Sequence, residues 1–142
     1  MQYENEMKIE FMSKSQNEAF ARVVVAAFVS QLDPTLEELS DIKTAVSEAV
    51  TNAVIHGYEN GPGMIYLACR LEGNETYIEI QDKGKGIEDI KQAMEPLYTS
   101  KPELERSGMG FTVMETFMDV VEVRSIPGEG TTVYMMKRLH SV

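Results

Sequence analysis

A chain of 142 residues, 43% hydrophobic and 25% charged, has the size and composition of one globular domain that buries its own core. Its 23 acidic residues against 13 basic ones give a formal net charge of −10, which disfavours nucleic acid as a direct partner and suits a basic protein. One cysteine, Cys69, excludes an internal disulfide, and neither a signal-peptide core nor a bilayer-length apolar run occurs, so a soluble cytoplasmic domain with no membrane partner is expected.

In chain order, Met7 to Met12 alternates and predicts a strand. Ser15 with Glu18 offers a capping box for a helix running to about Leu32. That helix is apolar (Ala21, Val23, Val24, Val25, Ala26, Phe28) and is expected to be covered on more than one side. Arg22 interrupts it, either snorkelling at an edge or marking a partner-binding surface. Asp33-Pro34-Thr35 is a turn and a second helix start, with Pro34 in the first turn. At about 100° per residue, Leu39, Ile42, Val46, Ala49, Val50 and Ala53 share one face of this helix. Gly57 is expected to close it in the left-handed conformation.

Met64 to Leu71 and Thr76 to Asp82 predict a hairpin around Glu72-Gly73-Asn74-Glu75. A short helix is expected from about Glu88 to Met94. No period holds from Glu95 to Gly110, and a segment of that length inside a compact domain is usually functional or mobile. Phe111 to Phe117 predicts a helix, and Val120 to Ser125 and Thr131 to Leu139 predict strands joined by Pro127-Gly128-Glu129-Gly130. The order predicts an α/β (α+β) two-layer sandwich in a single domain: a mixed, mostly antiparallel sheet with helices on one face.

Three stretches bear chemistry. Glu48 and Asn52 lie one helical turn apart, roughly opposite the apolar face. Alone they read as a solvated helix face, or as a base and an Mg²⁺-holding carboxamide beside a phosphate. Asp82 shares its strand face with Ile78 and Ile80, so it points inward at the strand's end. A buried carboxylate there needs a donor, which the exocyclic amine of adenine can be. Gly84 and Gly86 follow and permit either a plain turn or close approach to a flat ligand. Ser107, Gly108 and Gly110 end the irregular segment at a helix start, a flexible cap or a phosphate site, with Lys101 and Arg106 nearby to offset charge. Cys69 reads as a buried thiol, and His56 and His140 are isolated.

Together these motifs resemble the Bergerat-fold (GHKL) ATPase and kinase superfamily, to which gyrase and the sensor histidine kinases belong. The Asn-bearing helix, Asp-x-Gly-x-Gly and a lid ending in Gly-x-Gly occur in that order across nearly the whole chain. The box Ser47-Glu48-Ala49-Val50-Thr51-Asn52-Ala53-Val54-Ile55-His56-Gly57-Tyr58 is similar to that of the anti-sigma-factor serine kinases. The lid, about 95–110, looks most like that of the sporulation (sigma-F) branch, with the general-stress (sigma-B) branch the alternative. Phe111 departs from the leucine usual after the last glycine in sensor kinases.

The resemblance implies ATP/ADP and Mg²⁺ as cofactors, with Asn52 holding the metal and Glu48 as catalytic base. It implies that Asp82 binds the adenine amine, Gly84 and Gly86 shape that pocket, Gly108 and Gly110 let the lid wrap the phosphates, and Thr131 lies near the adenine. A homodimer is implied as well. It further implies a sigma-F-like partner held inactive and an anti-anti-sigma protein phosphorylated on serine. Two rivals stand beside this: an ATPase in which Glu48 activates water, and a nucleotide-gated sequestering module with vestigial catalysis.

Overall fold

The computed structural model describes residues 4–90 and 110–140. Strands β1 (Asn5–Met12), β2 (Met64–Glu72), β3 (Glu75–Asp82), β4 (Val120–Ile126) and β5 (Gly130–Arg138) form one sheet in the order β1-β2-β3-β5-β4. Helices α1 (Gln16–Val29), α2 (Leu36–Asn52) and α3 (Gly110–Phe117) cover one face of it. The two-layer α+β architecture is the one expected, and both hairpins fall where the turn residues put them. The expected helix from Glu88 to Met94 and the lid at 95–109 lie largely or wholly outside the described residues.

Alternation decides which side of the sheet is buried. In β3, Thr76, Ile78, Ile80 and Asp82 are buried beneath the helices while Glu75, Tyr77, Glu79 and Gln81 are only half-buried on the other face. Ile65, Leu67 and Cys69 of β2 and Val133 and Met135 of β5 complete the inner face, against Ile42, Val46, Ala49 and Val50 of α2. Met114 of α3 and Ala21, Val25 and Val29 of α1 close the core from either side of α2. Burial pushes the Cys69 thiol up to about 12, as a structural cysteine requires.

Four expectations change. The described sheet is antiparallel throughout rather than mixed. Strands β3 and β4 do run the same way, but β5 is inserted between them, so no parallel pair forms. Ser15 makes no side-chain cap, because its φ and ψ of −56° and −34° are already helical and Glu18 turns to Arg22 instead. The capping box forms at Thr35 and Glu38, where Thr35 is extended (ψ 163°) and Pro34 stays outside the helix. Helix α1 is covered on one side only, leaving Phe20 and Val23 exposed.

The fourth concerns the end of α2. Gly57 does not take a positive φ; a π-turn over Ala53–Gly57 closes the helix, with the Tyr58 amide donating to Ala53. Positive φ falls instead on Glu59 and Asn60 in the loop beyond.

Candidate functional site

Asn52 ends α2, and its neighbours explain the glycine that begins α3. A β-carbon at Gly110 would lie 2.9 Å from Asn52 Nδ2 and 3.1 Å from its Oδ1, so a residue without one lets the two helices meet there. The Asn52 amide nitrogen is fully buried yet has no hydrogen-bond partner among the described residues. A buried donor left unpaired costs free energy, so this amide marks a place where a ligand oxygen fits. Glu48, one turn earlier on α2, is half-buried. Its neighbour Ser47 lies 3.4 Å from an Arg22 guanidinium nitrogen, which also approaches Glu18; Arg22 thus bridges α1 and α2.

Asp82 points inward, as the alternation of β3 requires. Burial raises its pKa above the ordinary carboxylate value, and backbone amides of Gly84 and Thr131 oppose that shift. Gly84 donates to Oδ1 at 2.9 Å. The carboxylate lies directly against Gly57: a β-carbon there would sit 2.7 Å from Asp82 Cγ and Oδ1. Gly57 is therefore demanded by its contact with residue 82 rather than by helix termination.

After Asp82 the chain leaves the sheet as a tight loop. Gly84 crosses Gly57 so closely that a β-carbon would lie 2.0 Å from the Gly57 carbonyl oxygen, which accepts the Lys85 amide at 3.0 Å. Gly86 has φ +78° and lies against the Ile126 carbonyl, so it meets both a conformational and a steric demand. Thr131, opposite Asp82 in the sheet register, is buried, and its hydroxyl lies 2.8 Å from Ser125 Oγ.

Two residue clusters thus form, one of Asn52 and Gly110 and one of Gly57, Asp82, Gly84, Gly86 and Thr131. The π-turn Ala53–Gly57, five residues long, links them. Lys101, Arg106, Ser107 and Gly108 lie outside the described residues. His56 belongs to the π-turn, and the His140 amide donates to Glu38. Sequence reasoning missed Tyr58 and Ser125 as parts of this region, since their roles depend on partners far along the chain. Among the described residues no group of three or more His, Cys, Asp or Glu side chains can cage a metal. A carboxamide oxygen beside a phosphate fits Mg²⁺, which keeps much of its water and takes few protein ligands.

A family model described as histidine kinase-like ATPase domain matches residues 12–137. An anti-sigma F factor of Clostridium kluyveri is 64% identical over 140 residues, covering 99% of both chains. One from a Thermoanaerobacter species is 62% identical over 141 residues, again covering 99% of each. A crystal structure of the RsbU and RsbW domains of a Mycobacterium tuberculosis protein superposes with a TM-score of 0.69 over 95% of this chain, at 20% identity. The match spans 32% of that longer chain and bears on the fold alone.

Proposed function

The chain belongs to the histidine kinase-like ATPase family, among the anti-sigma F factors, and from that membership we propose that it is an ATP-dependent protein serine kinase that also sequesters a sporulation sigma factor. Its phosphoacceptor is a serine on the anti-anti-sigma protein that antagonises it. The observation that carries the nucleotide site is the buried, unpartnered Asn52 amide facing the glycine that opens α3.

Phosphoryl transfer needs positioning and charge neutralisation more than covalent chemistry. Asn52 would hold Mg²⁺ through its carboxamide oxygen, and the ion, when bound, would supply neutralisation of the phosphate charge. Asp82 accepts a hydrogen bond from the adenine amine, and Gly57, Gly84 and Gly86 give the base a surface free of side chains. Glu48 accepts the proton of the attacking serine hydroxyl as its oxygen bonds to the γ-phosphorus and the bond to ADP breaks. Lys101 and Arg106 add positive charge around the phosphates, with the amides near Ser107, Gly108 and Gly110 as donors. The net charge of −10 fits a basic sigma-factor surface. The apolar side of α1 that carries exposed Phe20 and Val23 is available to a partner or to a second copy in a homodimer.

The test is intact-mass analysis of a candidate anti-anti-sigma protein after incubation with this chain and Mg-ATP, with Glu48→Gln alongside. One phosphate on serine, absent with the variant, is expected. Tight Mg-ATP binding without transfer to an authentic partner would overturn the kinase reading and favour a sequestering module.

A further inference from the structure

Residues 83–87, which follow β3, leave the sheet as a loop under the grip of two hydroxyls from outside it. At its start, the Lys83 amide donates to Tyr58 Oη at 2.7 Å, and the same hydroxyl donates to the Met64 carbonyl at 2.6 Å. The register pairs Ile65 with Asp82, so Met64 and Lys83 are the next opposed positions. The tyrosine hydroxyl thus stands between two backbone groups that could otherwise pair directly, and it holds the strands apart where the loop departs. Its ring is seated on Gly63, where a β-carbon would lie 2.4 Å from a ring carbon.

At residue 87 the Ile87 amide donates to Ser125 Oγ at 2.7 Å, and that hydroxyl lies 3.0 Å from the Gly130 carbonyl and 2.8 Å from Thr131 Oγ1. Backbone bonds fix the middle: Lys85 to the Gly57 carbonyl at 3.0 Å, and Gly128 to the Lys85 carbonyl at 2.6 Å. Within this span, Gly84 supplies the amide that orients Asp82 Oδ1.

We infer that Tyr58 and Ser125 are positioning residues for base recognition: by pinning the loop at Lys83 and Ile87, they keep the Gly84 amide on Asp82 and so aim the carboxylate at the exocyclic amine. The inference rests on the adenine reading of Asp82 given above. It also implies a selective signature. Loosening the loop degrades the contact to the amine more than it degrades phosphate binding, which belongs to the Asn52 cluster.

The experiment titrates parent, Tyr58→Phe, Ser125→Ala and Ser125→Thr with two nucleotides by calorimetry. They are Mg-ATP and the triphosphate of purine riboside, which lacks the amine. Loss of one hydrogen bond corresponds to about fivefold in affinity. Tyr58→Phe and Ser125→Ala should each weaken ATP by about that factor, leave the purine riboside nucleotide within about twofold, and thereby narrow the preference for ATP. Ser125→Thr, which keeps the hydroxyl, should restore parental behaviour. A thermal melt identifies any variant that fails to fold, in which case the other position decides. Equal losses for both nucleotides, or ATP binding unchanged at both positions, overturn the clamp while leaving the adenine site intact. A parent that does not distinguish the two nucleotides overturns the adenine reading and the clamp with it.

Discussion

Gly57→Ala is the sharpest perturbation of this site. The added β-carbon would fall 2.7 Å from Asp82 Cγ, about 0.7 Å inside the 3.4 Å at which ordinary contact begins. Gly57 has no positive φ, so alanine suits the backbone and the whole effect is steric. The carboxylate must then move by about that overlap, and it cannot do so while keeping the Gly84 and Thr131 amides. Overpacking of this kind costs about 1–3 kcal/mol. Moving the carboxylate away from the base should weaken ATP binding by about the fivefold that one hydrogen bond is worth, or more.

The assay is a double-mutant cycle with Asp82→Ala, read by chemical denaturation and by Mg-ATP titration. In the Asp82→Ala background the steric conflict is gone, and alanine at 57 should be neutral or slightly stabilising. Parental ATP affinity in Gly57→Ala would refute the close packing of residues 57 and 82. An equal loss of stability in both backgrounds would show that the clash lies elsewhere.

Asp82→Asn should stabilise the ligand-free protein at pH 7 by about 1 kcal/mol while abolishing tight ATP binding, as functional groups held at a cost commonly do. Burial raises the Asp82 pKa, so its contribution to stability is present in acid and lost as pH rises through that raised value; the advantage of asparagine in melts should shrink towards acid pH. At Glu38, burial pushes the pKa up but the Thr35 and His140 amides outweigh it and leave it lowered. Glu38→Ala removes the carboxylate half of the α2 capping box and the tie to the segment after β5, 2.6 Å to the His140 amide, and should cost about 2 kcal/mol in urea denaturation at pH 7. The difference should diminish as pH falls through the lowered value, and a flat profile would count against the tie.

Periodicity made much of this molecule legible. Alternation alone put Asp82 on the buried face with Ile78 and Ile80, and the 3.6-residue period identified the buried side of α2. Local patterns were weaker where two segments shared them. Ser15 to Glu18 predicts a capping box, whereas the box that forms is at Thr35 to Glu38, which has the same spacing; only Thr35 has the extended backbone that a cap needs. Asp33 in the left-handed region and Pro34 deliver the chain to Thr35 in that conformation, whereas Ser15 already continues the helical turn.

The residue types at the candidate site were readable, but the reasons for them were distributed over long separations. Gly57 stood out as a glycine after a helix, where chain termination is the nearest explanation; the Asp82 carboxylate that excludes its side chain is 25 positions away. Tyr58 holds Lys83, and Ser125 holds Ile87 across 38 positions. Hydroxyls in such roles leave no periodic trace, because one correctly placed oxygen satisfies a single amide and imposes nothing on its neighbours. The glycines are different in kind. Gly57, Gly84 and Gly86 are each required by a different neighbour (the Asp82 carboxylate, the Gly57 carbonyl and the Ile126 carbonyl), and the first two lie directly against Asp82. Their convergence leaves a buried acid beside bare backbone, which is the arrangement a flat, amine-bearing ring can enter and a side chain cannot.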